Sequence, residues 1–309
     1  MNSTTFYSHG KLLITGEYLV LDGAKALGLP TKKGQELKVG ITQFSHQIHW
    51  ESKLEDNSTW LSMDFQWNQN LKFFSEDTSP EAQKLITIFN YIAIQKPELF
   101  QQKEHGFSFC SKLEFDKNWG LGSSSTLINN FAQWAGIDAF QLQFKIFGGS
   151  GYDIACAQNS TPIIYHKEEN QIQVEPIQFL PKFKNQLFFV YLNQKKNSRQ
   201  AIQHYKTLNP ITKLDAKERI DEITRQILHA DSLADFESLL TAHEKIMATL
   251  LEEFLIKGRL FQDYPRAIKS LGAWGGDFIL ATGGEAEKEY FRNRNYTTIL
   301  DYDEMILNV

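Results

Sequence analysis

Cysteine is scarce: Cys110 and Cys156 are the only two in 309 residues. Two thiols without CxxC spacing build neither a zinc cluster nor a disulfide scaffold, and their number suits a reducing compartment. Each reads as a small buried hydrophobe. Long apolar runs are missing too, since the longest, Leu187 to Leu192, is far short of the roughly 18 residues a membrane span needs. Near the N-terminus Leu12-Leu13-Ile14 is cut off at once by Thr15-Gly16-Glu17, which is no signal-peptide core. A cytoplasmic protein without a membrane partner is expected. Positive charge is not in excess either: Lys plus Arg is 32 against Asp plus Glu 37, a net charge of -5. No global field therefore draws nucleic acid, and any anion site has to be local. Repeats and low-complexity segments are absent. What is present, 42% hydrophobic and 22% charged residues, is ordinary for a globular chain.

The length is about twice that of a usual domain, so two domains are expected. The first hundred residues read as strands and turns: Phe6 to Ile14, Glu17 to Leu21, Leu37 to Gln43, Gln47 to Ser52 and Trp60 to Phe65. Ser79-Pro80 then caps a helix whose Leu85, Ile86, Phe89, Ile92 and Ala93 recur at helical spacing. Phe107, Phe109, Leu113 and Phe115 alternate with polar residues, the signature of a half-buried strand that delivers the chain to Gly120. Past an apolar strand at Gln186 to Leu192, helices are expected near Ser198 to Leu208, Ala216 to His229, Ala234 to Ile256 and Asp263 to Leu271. A strand at Asp277 to Thr282, a helix at Glu285 to Arg294 and a strand at Tyr296 to Leu300 complete the pattern. Strands separated by blocks of helix predict an α+β second domain. The polar stretch from Glu168 to Lys184 is the expected boundary, giving domains of residues 1–175 and 176–309.

The sharpest local signal is Gly120-Leu121-Gly122-Ser123-Ser124-Ser125, between the alternating strand and a helix with Leu127, Ile128, Phe131, Ala132 and Ala135 on its apolar face and Gly136 at its end. Glycines let a backbone approach an anion closely, and the first amides of a helix point at it unpaired with the dipole behind them. The serine hydroxyls can ligate Mg²⁺ or a phosphate oxygen. A Gly/Ser turn with serine caps is also an ordinary way to open a helix. Other glycine loops are excluded by their letters. A dinucleotide fingerprint wants a third glycine where Ser125 stands, no Gly-Lys-Ser/Thr occurs, and no His-Arg-Asp tripeptide accompanies Gly276-Asp277-Phe278.

Three further segments stand in order around that loop: His9-Gly10-Lys11-Leu12-Leu13-Ile14-Thr15-Gly16-Glu17-Tyr18, Gly148-Gly149-Ser150-Gly151-Tyr152-Asp153 and Gly272-Ala273-Trp274-Gly275-Gly276-Asp277. With the serine loop they resemble, over nearly the whole chain, the motifs of the GHMP kinase superfamily, and most closely its mevalonate kinase and phosphomevalonate kinase branch. The resemblance implies a two-domain α+β fold, with an N-terminal part like the second domain of ribosomal protein S5 and a ferredoxin-like C-terminal part. It implies ATP and Mg²⁺ as cofactors, with the phosphates on Gly120, Leu121, Gly122, Ser123, Ser124 and Ser125, and Ser124 as metal ligand. Lys11 and Asp153 would meet at the transferred phosphoryl group and the acceptor hydroxyl, while Gly272, Gly275 and Gly276 would close the phosphate site. Glu17, Gly151, Tyr152 and Arg199 would face the substrate, an isoprenoid-pathway acid such as mevalonate or phosphomevalonate. A monomer or homodimer acting on a small molecule is expected.

Asp153, with a reference pKa near ~3.9, is a weak base for an alcohol, yet it can orient the hydroxyl and accept its proton late. Lys11 supplies the positive charge that a loose phosphoryl-transfer transition state needs. Taken singly, a surface lysine and a turn aspartate would explain both. The sequence also departs from the family. His9 stands in place of a proline, Trp274 in place of a glycine, and Gln141, Leu142 and Gln143 occupy the stretch where mevalonate kinases carry a metal-binding glutamate. These departures motivate the alternative of a non-catalytic nucleotide or metabolite binder. His46 and His49, three apart in a strand-like segment, point to opposite faces and share no metal. Lys195, Lys196 and Arg199 form a basic turn that could meet a substrate phosphate.

Overall fold

The structure, a computed structural model, describes residues 3–101, 105–169, 171–194, 198–272, 274 and 276–307, the side chains of 198–200 excepted. It divides into two compact units that interleave along the chain: Met1–Gly10, Lys33–Lys117 and Gly122–Gln158 form the first, Lys11–Lys32, Asn118–Leu121 and Asn159–Val309 the second. The strands β1 (Ser3–Leu13) and β2 (Ala26–Thr42) are each divided between the two units, β1 after Gly10 and β2 after Lys32.

The first unit continues with β3 (Gln47–Lys53), β4 (Thr59–Trp67), β5 (Phe73–Phe74), α1 (Pro80–Gln95), β6 (Gly106–Leu113), α2 (Ser123–Ala135), α3 (Ala139–Ile146) and α4 (Tyr152–Gln158). Its strands run in the order β5-β4-β3-β6-β2, with β1 paired to β2. The pairs β2–β6, β3–β4 and β4–β5 are antiparallel, whereas β3 runs parallel to β6, with Trp50 opposite Phe109, because the chain leaves β3 through β4, β5 and α1 before returning. Ser79 caps α1 as expected, its hydroxyl accepting the Ala82 amide at 3.2 Å. Alternate strand residues Leu37, Val39, Ile48, Trp50, Met63, Phe65 and Phe109 are buried with the apolar stripes of α1, α2 and α3 in one core. Aromatic rings dominate it: Trp50 stacks on Phe109 at 5.9 Å and on Phe131 at 5.6 Å. Each such pair contributes roughly 0.5–1.5 kcal/mol beyond its buried area.

In the second unit the hairpin of β7 (Ile163–Glu168) and β8 (Gln171–Pro176) pairs with the first half of β2. Then follow β9 (Leu187–Tyr191), α5 (Ser198–Thr207), α6 (Pro210–Ile227), α7 (Leu233–Leu251), α8 (Ile256–Leu260), β10 (Ile268–Ser270), β11 (Phe278–Thr282), α9 (Glu285–Arg292), β12 (Ile299–Asp301) and α10 (Tyr302–Met305). The sheet runs β10-β11-β9-β12 and is antiparallel throughout. Fourth, first, third, second is the strand order of a ferredoxin-like βαββαβ fold, with α5 to α8 filling its first helical crossover. Phe188, Val190, Ile279 and Ala281 from the central strands are buried with Phe261, Tyr264 and Phe291.

Several elements differ from their sequence patterns. Glu17 to Leu21, expected as a strand, is a turn, since Gly16 and Tyr18 take φ of +87° and +57° and a short 3-10 helix follows at Leu19–Asp22. Ala234 to Ile256, expected as one helix, ends at Leu251, where Glu252 at φ +54° closes α7 and α8 starts afresh. Asp263 to Leu271, expected as a helix, is loop and then β10, whose three residues are all buried. The helix expected from Ala216 begins six residues earlier at Pro210, because Asn209 caps it through the Ile211 amide at 2.8 Å. The polar stretch after Glu168 holds β8.

Candidate functional site

The serine loop is a turn of left-handed glycines that opens a helix. Gly120 and Gly122 lie at φ +68° and +90°, and the first α2 bond runs from the Thr126 amide to the Gly122 carbonyl at 3.0 Å. The amides of Ser123, Ser124 and Ser125 precede that bond, so none has an i-4 carbonyl within the helix. Ser125 is buried, Ser123 half-buried and Ser124 exposed. Of the three, only Ser124 is an exposed residue.

Asp153 stands in the first turn of α4, half-buried, where Gly148, Gly149 and Gly151 at φ +69°, +93° and +95° turn the chain out of α3. This helix packs on α2. Asn129 of α2 donates to the Ala157 carbonyl at 3.4 Å and accepts from Gln158 at 3.1 Å. The first unit therefore holds Gly122 to Ser125 and Gly151, Tyr152 and Asp153 at the starts of two packed helices. In the stretch where a glutamate was missed, Leu142 and Gln143 are buried, and the Gln143 amide braces the glycine turn through the Gly148 carbonyl at 3.2 Å.

The second unit gathers the other motif residues. The Lys11 amide donates to the Leu121 carbonyl at 3.0 Å, tying the lysine strand to the serine loop. A Cβ added at Gly120 would overlap the Asp277 carboxylate, and one at Gly272 would come within 3.1 Å of it. Gly120 is thus a glycine because an aspartate from the last motif lies against it. Trp274 is buried at 4% exposure, with the Lys269 ammonium 5.8 Å from its ring centre. The ring that replaces a glycine is housed inside the unit rather than on its surface. Gly276 is buried beside Asp277, whereas Gly275, Ala273, Lys195 and Lys196 lie outside the described residues, as does the side chain of Arg199 in α5.

Glu17 lies at the centre of a buried ionic cluster. Its carboxylate pairs with Lys269 and, at 3.1 Å, with His243; Lys269 also reaches Glu244 at 3.3 Å and the Ser270 carbonyl at 2.8 Å. Ser270 donates to the second Glu244 oxygen at 3.1 Å. Burial alone would push Glu17 up, but Lys269 and His243 outweigh it and hold its carboxyl below the usual range. Burial pushes Glu244 up to about 7, with Lys269 pulling against it and Glu17 adding to it. Burial and the Lys269 charge lower His243, which Glu17 offsets only in part. Sequence reasoning missed Lys269, His243, Glu244 and the packing role of Asp277. The available signals were Lys269 as a lone charge in Ala267-Ile268-Lys269-Ser270-Leu271 and Asp277 as the last residue of the segment that begins at Gly272.

Among the described residues no group of three His, Cys, Asp or Glu side chains could hold a metal. Mg²⁺ does not require one when it arrives on a nucleotide, since it keeps several waters and takes phosphates with one or two protein oxygens. The exposed Ser124 hydroxyl and the Asp153 carboxylate on the neighbouring helix fit that demand. His49 is paired with Asp64 at 2.7 Å on the surface. No helix among the described residues is long and apolar enough to cross a membrane.

No protein-family model matches the sequence, and no curated protein matches it. Solved structures do match in fold. The mevalonate kinase of Methanococcus jannaschii aligns at a TM-score of 0.70 and 16% identity, covering 100% of this chain and 99% of that one. The phosphomevalonate kinase of Streptococcus pneumoniae, in complex with phosphomevalonate and AMPPNP, aligns at 0.69 and 16%, covering 97% and 100%. Lactococcus lactis galactokinase, complexed with galactose, aligns at 0.68 and 12%, covering 99% and 94%. Together with the ferredoxin-like strand order of the second unit, these alignments show that the chain has the two-domain α+β fold of the GHMP kinases.

Proposed function

We propose that the protein is an ATP-dependent small-molecule kinase that transfers the γ-phosphate to a hydroxyl or phosphate of an isoprenoid-pathway acid, mevalonate or phosphomevalonate. One observation carries the reading: an exposed Ser124 at a glycine-opened helix start and Asp153 in the first turn of the helix packed on it. The loop from Gly120 through Leu121 and Gly122 to Ser123, Ser124 and Ser125 binds the ATP phosphates through its backbone amides, and Gly272, Gly275 and Gly276 close over them. Magnesium, held by Ser124 with phosphates and water, neutralises phosphate charge. Lys11 stabilises the transferred group, and Asp153 orients the acceptor hydroxyl and takes its proton. Gly151, Tyr152 and Arg199 contact the acceptor, as does Glu17 if its pair with Lys269 opens. The AMPPNP and phosphomevalonate of the Streptococcus pneumoniae structure support ATP and this acceptor class, and the galactokinase keeps sugars in the test. We retain residues 1–175 as the ATP-binding domain and 176–309 as the C-terminal domain, in a cytoplasmic monomer or homodimer.

Coupled ADP release over mevalonate, phosphomevalonate, diphosphomevalonate, galactose and homoserine tests the proposal. Turnover is expected with one of the first two, falling about a hundredfold or more in Lys11→Met and Asp153→Asn. Arg199→Ala should raise KM about tenfold if the acceptor is phosphomevalonate, whose dianionic head needs cations, and little if it is mevalonate. Gln143, bracing a turn where a metal-binding glutamate was expected, favours the second reading, a non-catalytic binder. Tight ATP binding without turnover on any acceptor would decide for it.

A further inference from the structure

One face of α2 is buried but polar. Thr126, Asn129, Asn130 and Gln133 recur at helical spacing, and the first three are at most 2% exposed. They bond side chains and backbone of the strands instead of packing on them. The Thr126 hydroxyl donates to the Gln35 carbonyl oxygen at 2.5 Å, and the Gln35 amide donates to Ser111 at 2.7 Å, so α2, β2 and β6 are joined through one side chain. Asn130 donates to the Gln35 backbone carbonyl at 2.8 Å and accepts from Ser8 at 2.7 Å. Asn129 donates to the same Ser8 hydroxyl at 2.8 Å, and Gln133 to the Tyr7 carbonyl at 3.1 Å.

An apolar stripe tolerates a small slide or rotation of the helix at little cost, whereas a buried hydrogen-bonded stripe does not, since each displaced group is left unsatisfied. The stripe starts at the residue directly after Ser125, one turn from the amides assigned to the ATP phosphates. At Asn129 it branches to α4, the helix that carries Asp153. Phosphoryl transfer depends on positioning, and misplacement by about 1 Å can cost a hundredfold.

We propose that Thr126 and Asn129 are positioning residues for phosphoryl transfer. Thr126 sets the depth at which the first turn of α2 presents its amides, and Asn129 sets α4, and with it Asp153, against that turn. The proposal rests on the reading of Gly120 to Ser125 as the phosphate site. It extends that reading to residues that touch neither nucleotide nor acceptor.

The test uses the full-length protein and Mg-AMPPNP binding by calorimetry beside kinetics and thermal unfolding. Thr126→Val keeps the shape and removes the hydroxyl; it should weaken Mg-AMPPNP about tenfold, and Thr126→Ser should restore it. The paired variant Thr126→Val with Gln35→Met removes the orphaned acceptor as well, so Tm should recover while nucleotide affinity stays low. Asn129→Leu and Gln158→Leu should lower kcat severalfold with KM for ATP within about twofold. Nucleotide affinity that rises and falls with Tm across the series would reduce the stripe to a stability device and overturn the proposal, as would wild-type affinity in Thr126→Val. For Asn129, loss of kcat and KM in equal proportion would overturn its role. If wild-type protein binds no Mg-AMPPNP, the phosphate-site reading fails and the positioning roles fall with it.

Discussion

Lys269 holds its ammonium wholly inside the second unit, between the Glu17 and Glu244 carboxylates. Such a charge costs several kcal/mol to desolvate, a cost its partners repay only while all are present. Lys269→Met is therefore expected to destabilise by about 3–5 kcal/mol in urea unfolding, chiefly by stranding Glu17, and Lys269→Met with Glu17→Gln should recover part of that loss. A loss below about 1 kcal/mol would show that water reaches the cluster. Glu244 gives the same cluster a pH dependence. With its carboxyl pushed up to about 7 from 4.5, the folded protein binds this proton more tightly than the unfolded chain does. The stability Glu244 contributes is complete below pH 4.5 and is lost as pH rises through 7. His243, held low, works in the opposite sense below 6.5, and Glu17, held low, below 4.5, so the pH dependence is best read as a difference. The wild-type minus Glu244→Gln unfolding free energy should fall by at most about 1.4 kcal/mol per pH unit between pH 5 and 7. A flat difference would show that Glu244 is ionised throughout. None of this was legible in the sequence, because Glu17 and Lys269 stand 252 positions apart and no spacing rule links them to His243 and Glu244.

At the scale of elements, α1, α2, β6 and β9 were legible because each carries one period: apolar stripes at helical spacing, alternation, or a short fully apolar run. The serine loop and the glycine turn before Asp153 were legible as motifs. The helices α3 and α4 were not, since Ala139–Ile146 is too short for a clear stripe and Ile154-Ala155-Cys156-Ala157 is buried all round. The strand β10 was not legible, because three residues show no period. Two predictions belong to the turn before α2. Ser124 is exposed, so Ser124→Ala should leave Tm unchanged and raise the Mg²⁺ concentration needed for half-maximal activity. Unchanged metal dependence would remove Ser124 from the metal. Gly120→Ala should destabilise by about 1–3 kcal/mol, because a Cβ there meets the Asp277 carboxylate and a positive φ is strained in alanine. Asp277→Gly in the same chain should recover the steric part, and failure to do so would show that φ alone governs the position.

At the scale of the molecule, the proposed division at residue 175 does not coincide with the two compact units. Residues 11–32 belong to the same compact unit as the C-terminal half, and that unit is closed by backbone bonds from Leu307 to Pro30 at 3.0 Å and a bridge between Thr31 and Ile306. A fragment of residues 176–309 lacks Glu17, so Lys269 loses a buried partner. It should be unfolded alone by circular dichroism and gain structure only when 1–175 is co-expressed. Cooperative unfolding of the fragment by itself would contradict this. The Leu307–Pro30 bond also governs the order of events during synthesis. When Pro30 leaves the ribosome its partner has not been translated, and at roughly 5–20 residues per second the wait lasts on the order of 15–60 s. The first unit has all its residues once Gln158 has emerged, while residues 11–32, inserted between two of its segments, still wait for β7 and for the C-terminal residues that pair with Pro30 and Thr31. A nascent chain stalled before Leu307 is thus a half-folded species with an apolar strand exposed, and it is there, rather than in the finished protein, that chaperone capture is expected to be strongest.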